Sequence, residues 1–136
     1  MYLLDTDILS ALRKVQRNRK VVAWLKSVNP DDVFVSAITV MEIERGIEKE
    51  RRTNPPLALA LTAWLEASLV SFGPRVLEVT TPIARRWGRI QIQLGRTDND
   101  IPIAATALEH NLQVVTRNVR HFNTTGVVII NPFDAA

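Results

Sequence analysis

The stretch Asp98-Asn99-Asp100-Ile101-Pro102-Ile103-Ala104-Ala105-Thr106-Ala107 permits few folds. It opens a helix. Asp98, Asn99 or Asp100 can accept hydrogen bonds from the free N–H groups of a first turn, where proline is tolerated. The small residues Ala104, Ala105 and Ala107 let such a helix lie close against a sheet. Asp100, Ile103, Ala104 and Ala107 follow the i, i+3, i+4, i+7 rule and share one face, which should be buried. A carboxylate at the top of a buried stripe is costly without a partner. Residues two apart on a helix point about 200° from each other. The expectation is therefore an inward Asp100 and an Asp98 that caps the helix. A capping role for Asp100 itself is the simpler alternative, but carboxylates recur at similar places along the chain.

Tyr2-Leu3-Leu4 reads as a buried strand ending at Asp5, and Asp5-Thr6-Asp7 leads into a helix from Ile8. One of Asp5 and Asp7 is needed as a cap, which leaves the other free. Val33-Phe34-Val35 is a second strand, closed by Ser36. A helix from about Ala37 to Arg52 follows, with Val40, Ile43 and Ile47 as its core stripe. Thr39-Val40-Met41-Glu42 also fits a capping box, a purely structural task for Glu42. Leu57, Leu61, Trp64, Leu65 and Leu69 mark another helix, and Val76–Val79 a third strand. Ile83, Trp87, Ile90 and Leu94 line a helix that Gly95 ends. After the helix from about Asn99 to His110, Asn111 is a stop. Leu112–Val115 and Val127–Ile130 are the last strands. Strands alternate with helices, which implies an α/β fold with a mostly parallel central sheet flanked by helices on both faces. No linker or repeat divides the chain, so residues 1–136 are expected to form a single domain.

The 136 residues suffice for one core. The absence of cysteine excludes thiolate metal sites and disulfides and suits a reducing cytosol. No apolar run looks long enough to span a bilayer, and the N-terminus lacks a basic segment before an apolar one. A cytoplasmic protein without membrane contact is expected. The net charge of +3 is only a mild preference for anions. Its distribution says more. Arg13, Lys14, Arg17, Arg19 and Lys20 crowd one segment, and Arg85, Arg86, Arg89 and Arg96 another. The first cluster is the candidate for holding a nucleic-acid backbone; a solvated surface is the alternative.

Asp5 follows the first strand, Glu42 is on the helix after the second, and Asp100 begins the helix before the fourth. Thr116 and Asn118 follow the fourth. Right-handed crossovers bring such strand ends to one edge of a parallel sheet, where ligands bind in open α/β sheets. Carboxylates gathered there repel unless protons or cations intervene. Oxygen ligands without cysteine suit Mg²⁺ or Mn²⁺.

These blocks resemble the PIN-domain ribonucleases, and most closely the VapC-type toxins of bacterial toxin–antitoxin pairs, FitB-like members included. The matching residues are Leu3–Ser10, Ser36–Gly46, Asp98–Ala107 and Val115–Phe122, in the family's order and over nearly the whole chain. The resemblance implies a single PIN domain and a Mg²⁺- or Mn²⁺-dependent endoribonuclease whose acidic metal site is Asp5, Glu42 and Asp100. Asp7, Asp98, Thr116 and Asn118 are possible supporting residues. The family often has Asn where this chain has Asp7, and its fourth acidic position falls on Asn118, which would hold a second ion more weakly. The resemblance further implies an RNA substrate, a VapB-type antitoxin that blocks the site, and a homodimer, to which part of the apolar helix surface of Leu57, Leu61, Trp64 and Leu65 is assigned.

Two other readings are set against it. Asp5-Thr6-Asp7 after a first strand looks like the start of a haloacid-dehalogenase-type phosphatase, but that chemistry needs a later lysine and none follows Lys49. An RNA-binding or regulatory module that kept the fold without nuclease activity is favoured by Asn118 and opposed by the intact acidic trio.

Overall fold

Five parallel strands form the centre of the protein, a computed structural model that describes residues 1–134. They are β1 (Tyr2–Leu4), β2 (Val33–Ser36), β3 (Val76–Leu77), β4 (Gln113–Val115) and β5 (Ile129–Ile130), in the order β3-β2-β1-β4-β5. β1 lies in the middle. Leu4 is in register with Val35 of β2 on one side and Val115 of β4 on the other. The chain winds outward from β1 through β2 and β3, then crosses back to place β4 on the opposite flank. The gap between β1 and β4 is thus the point where the winding reverses, the usual ligand position in such sheets.

Alternation along the strands sends side chains to two cores. Leu4, Val33, Val35 and Val115 face one side. They pack there with α1 (Thr6–Ala11), α2 (Arg19–Lys26), α3 (Ala37–Thr53) and α4 (Pro55–Phe72). Leu3 and Val114 face the other side and meet Ile103, Ala104 and Ala107 of α6 (Asp100–His110) and Phe122 of α7 (Val119–Phe122). Behind α6 lies α5 (Thr81–Leu94), whose Ile83 and Ile90 pack on Ile101 and Ala105. α6 is therefore covered on two sides, and every residue from Ile101 to Ala107 is buried. The sequence shows the stripe against the sheet; the second covering arises from α5, which no local pattern announces. Asn111 at φ 56° ends α6 in the left-handed conformation that asparagine tolerates.

Several boundaries differ from expectation. β3 and β5 are two residues long rather than four, because only Val76–Leu77 and Ile129–Ile130 reach a neighbouring strand. The capping box at Thr39–Glu42 does not form. α3 starts a turn earlier, where Ser36 Oγ accepts the Ile38 N–H at 3.0 Å. Its buried line is Thr39, Ile43 and Ile47, and Val40 is only half-buried.

α4 corrects two expectations. Leu65 is in the core, and Leu57, Leu61 and Trp64 are half-buried, so these four do not form a free surface. Its exposed apolar side chains are Leu59 and Val70. Residues Pro55–Arg75 are also apolar and long enough, by length and composition, to cross a membrane. The charge of Glu66 and scattered Ser and Thr conceal this in the sequence. Here the helix packs against the sheet's first core through Ala58 and Leu65.

Candidate active site

Asp5 stands at the carboxyl end of β1, beside β4. Its N–H donates to the Val115 carbonyl at 2.9 Å, which extends the β1–β4 ladder by one step. Its backbone then leaves the strand to cap α1, and Oδ1 accepts the Thr6 N–H at 2.8 Å. Oδ2 accepts the Thr116 hydroxyl at 2.8 Å. A buried carboxylate is thereby fixed at both oxygens from two adjacent strand ends. Asp5 takes the capping role, and Asp7 is tied elsewhere: its Oδ2 accepts the Arg117 N–H at 3.1 Å, while Oδ1 is buried with no hydrogen-bond partner.

Burial, then repulsion from Asp7 and more weakly from Asp100, pushes the Asp5 pKa up to about 7 against the pull of the Thr116 and Thr6 bonds. Burial also raises Asp7, opposed by the Arg117 N–H, with Asp100 adding repulsion. Three carboxylates thus feel one another at the point where the sheet's winding reverses.

Glu42 joins through a hydroxyl. Thr6 Oγ1 donates to Glu42 Oε1 at 2.7 Å and lies 3.0 Å from Thr39 Oγ1. The helix after β2 is in this way tied to the helix after β1. Asp100 is partly exposed and contacts His121, with Nδ1 2.8 Å from its Oδ2. Asp98 is the helix-start group: its Oδ1 accepts the Asp100 N–H at 3.2 Å, and Arg96 clasps both its oxygens at 2.9 Å. Although burial works against it, that arginine holds Asp98 below the usual carboxylate range. Asn118 is exposed, and its N–H donates to Thr116 Oγ1 at 2.9 Å. Among the described residues, no three Asp, Glu, His or Cys side chains stand close enough to enclose an ion. Glu42 and Asp100 are each engaged by a neighbour, Glu42 by Thr6 and Asp100 by His121.

A groove of about 620 Å³ opens beside Asp7 and Glu42. Arg13, Lys14, Arg17 and Arg117 line it together with Ile43, Ile47, Leu61, Trp64 and Phe133. Of the five basic residues singled out by sequence, three reach it. Arg19 and Lys20 are exposed on α2, and Lys20 Nζ donates to the Phe133 carbonyl at 3.1 Å. Two of the second-cluster arginines are internally paired, Arg86 with Glu109 and Arg96 with Asp98. Sequence reasoning misses His121, Arg117 and Phe133. For the first two a signal exists, because they flank Asn118 in the segment after β4; for Phe133 nothing local marks it.

Toxin FitB of Neisseria gonorrhoeae is 35% identical to this chain over 98% of its length and 99% of the relative's. VapC ribonuclease Y4jK of Sinorhizobium fredii is 31% identical over the whole of both chains. A solved structure of FitAB bound to an IR36 DNA fragment superposes with a TM-score of 0.85 at 34% identity, covering 100% of this chain and 98% of that one. The PIN domain family model matches residues 2–127, every strand except β5 included. With relatives aligned end to end and the same fold beneath them, this chain belongs to the PIN domain family.

Proposed function

We propose that this protein is a divalent-metal-dependent endoribonuclease, the toxin of a VapBC-type toxin–antitoxin pair. The observation that carries the reading is Asp5 and Asp7, two carboxylates raised by burial at the β1/β4 reversal, one with a buried unpartnered oxygen. Such a pair is stable at neutral pH only if protonated or neutralised by a cation. Hard oxygen donors fit Mg²⁺ or Mn²⁺. Asp5, Glu42 and Asp100 would hold the ion, with Asp7, Asp98, Thr116 and Asn118 in supporting places. A divalent ion in such a site supplies neutralising charge at a phosphate and activates water for attack on the phosphodiester.

The chain's own groups have separate tasks. Thr116 and the Thr6 N–H fix the Asp5 carboxylate so that it needs no reorganisation. Thr6 orients Glu42, and His121 orients Asp100. Arg13, Lys14 and Arg17 offer positive charge along the groove that leads to these carboxylates. RNA is the substrate, as the name VapC ribonuclease of its relative suggests. A VapB-type antitoxin is the partner, as FitAB is a two-component assembly. A homodimer is the assembly state, and the exposed Leu59 and Val70 of α4 are available to it.

Cleavage of single-stranded RNA by homogeneous protein, with and without EDTA, tests this reading. Activity should vanish with EDTA, return with Mg²⁺ or Mn²⁺, and be absent from folded Asp5→Asn. Undiminished cleavage by the EDTA-treated protein overturns the metal mechanism. RNA binding without cleavage under any divalent ion would leave a regulatory module instead.

A further inference from the structure

Arg117 lies two residues past the end of β4 and lines the groove together with Asp7 and Glu42. Its N–H is bonded to Asp7 Oδ2, which ties its backbone to the acidic cluster. Its side chain turns toward the C-terminal segment, and the guanidinium carbon lies 4.1 Å from the centre of the Phe133 ring. That ring is itself held in place. The Phe133 N–H donates to Asn131 Oδ1 at 3.0 Å, and its carbonyl accepts Lys20 Nζ at 3.1 Å. Arg117 is exposed, and none of the ion pairs among the described residues includes it. Arg96 and Arg86, by contrast, have their charge engaged by Asp98 and Glu109.

A guanidinium stacked on an aromatic face keeps its N–H donors free at the edges, in a plane fixed by the ring. Two parallel N–H groups match two oxygens of a phosphate. Arg117 lines the same groove as Arg13 and Lys14 and is one residue from the Thr116 that holds Asp5. We infer that Arg117, pre-oriented by Phe133, is the group that grips the RNA phosphodiester beside the carboxylate cluster. Lys20 serves this pair from behind, by fixing Phe133, rather than by touching RNA. The inference rests on the nuclease reading, and the ligand chemistry is a backbone phosphate of single-stranded RNA.

The test is fluorescence anisotropy of a labelled single-stranded RNA in EDTA, over a salt series, with variants whose melting midpoints match the parent protein. Arg117→Ala should weaken binding about tenfold and reduce the slope of log K against log salt by about 0.7, the value for one lost phosphate contact on a single strand. Arg117→Lys should restore the slope but only part of the affinity, since charge returns without the fork. Phe133→Leu should weaken binding severalfold with the slope unchanged, because the charge stays and its orientation is lost. Arg51→Ala, on the far part of α3 and paired with Glu48, should change nothing. With Mg²⁺ present, Arg117→Ala should raise KM more than it lowers kcat. Parent-like affinity and slope in Arg117→Ala overturn the assignment while leaving the nuclease reading intact. Parent-like affinity in Phe133→Leu overturns the pre-orientation. Parent protein that neither binds nor cleaves RNA overturns the nuclease reading and this assignment together.

Discussion

At the scale of single residues, the acidic cluster makes a claim about stability as well as chemistry. Asp5 in the folded chain titrates at about 7, against 3.8 for the ordinary group, because of burial first and Asp7 second. An acid whose pKa is raised by folding binds its proton more tightly in the native state. Its contribution is therefore favourable below about pH 4 and is lost as pH climbs through about 7. Each tenfold gain in proton affinity on folding is worth about 1.4 kcal/mol. In EDTA, Asp5→Asn should thus be more stable than the parent at pH 8, by at least about 1 kcal/mol, and the advantage should shrink toward pH 4. Urea melts of both proteins at the two pH values measure this directly; an advantage that is constant with pH counts against the buried charge. The pair Asp98 and Asp100 separates in the same way. Asp98 is held by Arg96 at the helix start, whereas Asp100 meets His121. Asp100→Asn should lose nearly all RNA cleavage with native-like stability. Asp98→Asn should keep most of it, and Asp98→Ala should cost about 0.5–2 kcal/mol as a lost cap. Equal inactivity of the two asparagine variants would show that both carboxylates act at the site.

At the scale of elements, α6 places the chemistry and is also the most legible part of the sequence. Its alanines predict close approach to a sheet, and Ala104 and Ala107 do meet Leu3 and Val114 there. What periodicity cannot show is that Ala105 and Ile101 face a second helix, since a pattern identifies an apolar face but not its partner. Ala105 is fully buried, in a cluster with Ile83, Ile90 and Ile101. Ala105→Val should then cost about 1–3 kcal/mol by overpacking. Because α6 carries Asp100 at its first residue, the same change should lower nuclease activity more than the loss of folded protein explains. Thermal melts and specific activity on one preparation check both; full activity per folded molecule would mean that α6 absorbs the strain without moving Asp100. The helix end at Asn111 is legible because a stop is local chemistry, whereas the cap of α3 is Ser36 and not the Thr39 that the capping-box pattern indicates. The short β3 and β5 are not legible, because strand length depends on how far a neighbour reaches.

At the scale of the whole molecule, a net charge of +3 conceals a polar arrangement. Carboxylates gather at the β1/β4 reversal, and basic side chains line the groove beside them. The sequence shows both groups but not which basic residues belong to the groove, because α2 starts within the basic run. Arg13, Lys14 and Arg17 precede α2 and turn toward Asp7 and Glu42; Arg19 and Lys20 begin the helix and do not line the groove. A run of like charges is continuous in sequence but divided by the fold. If RNA follows the groove, only the first three displace counterions when it binds. Replacing Arg13 and Lys14 with alanine should lower the slope of log K against log salt by about 1.4, two contacts at about 0.7 each for a single strand. Arg19→Ala should leave the slope as it is. Binding of Mn²⁺ by calorimetry should be the same in all of these variants, since none of the replaced side chains bonds a carboxylate of the cluster. An effect of Arg19→Ala equal to that of Arg13→Ala would place the RNA over α2 rather than in the groove, and would assign the basic run to one continuous surface.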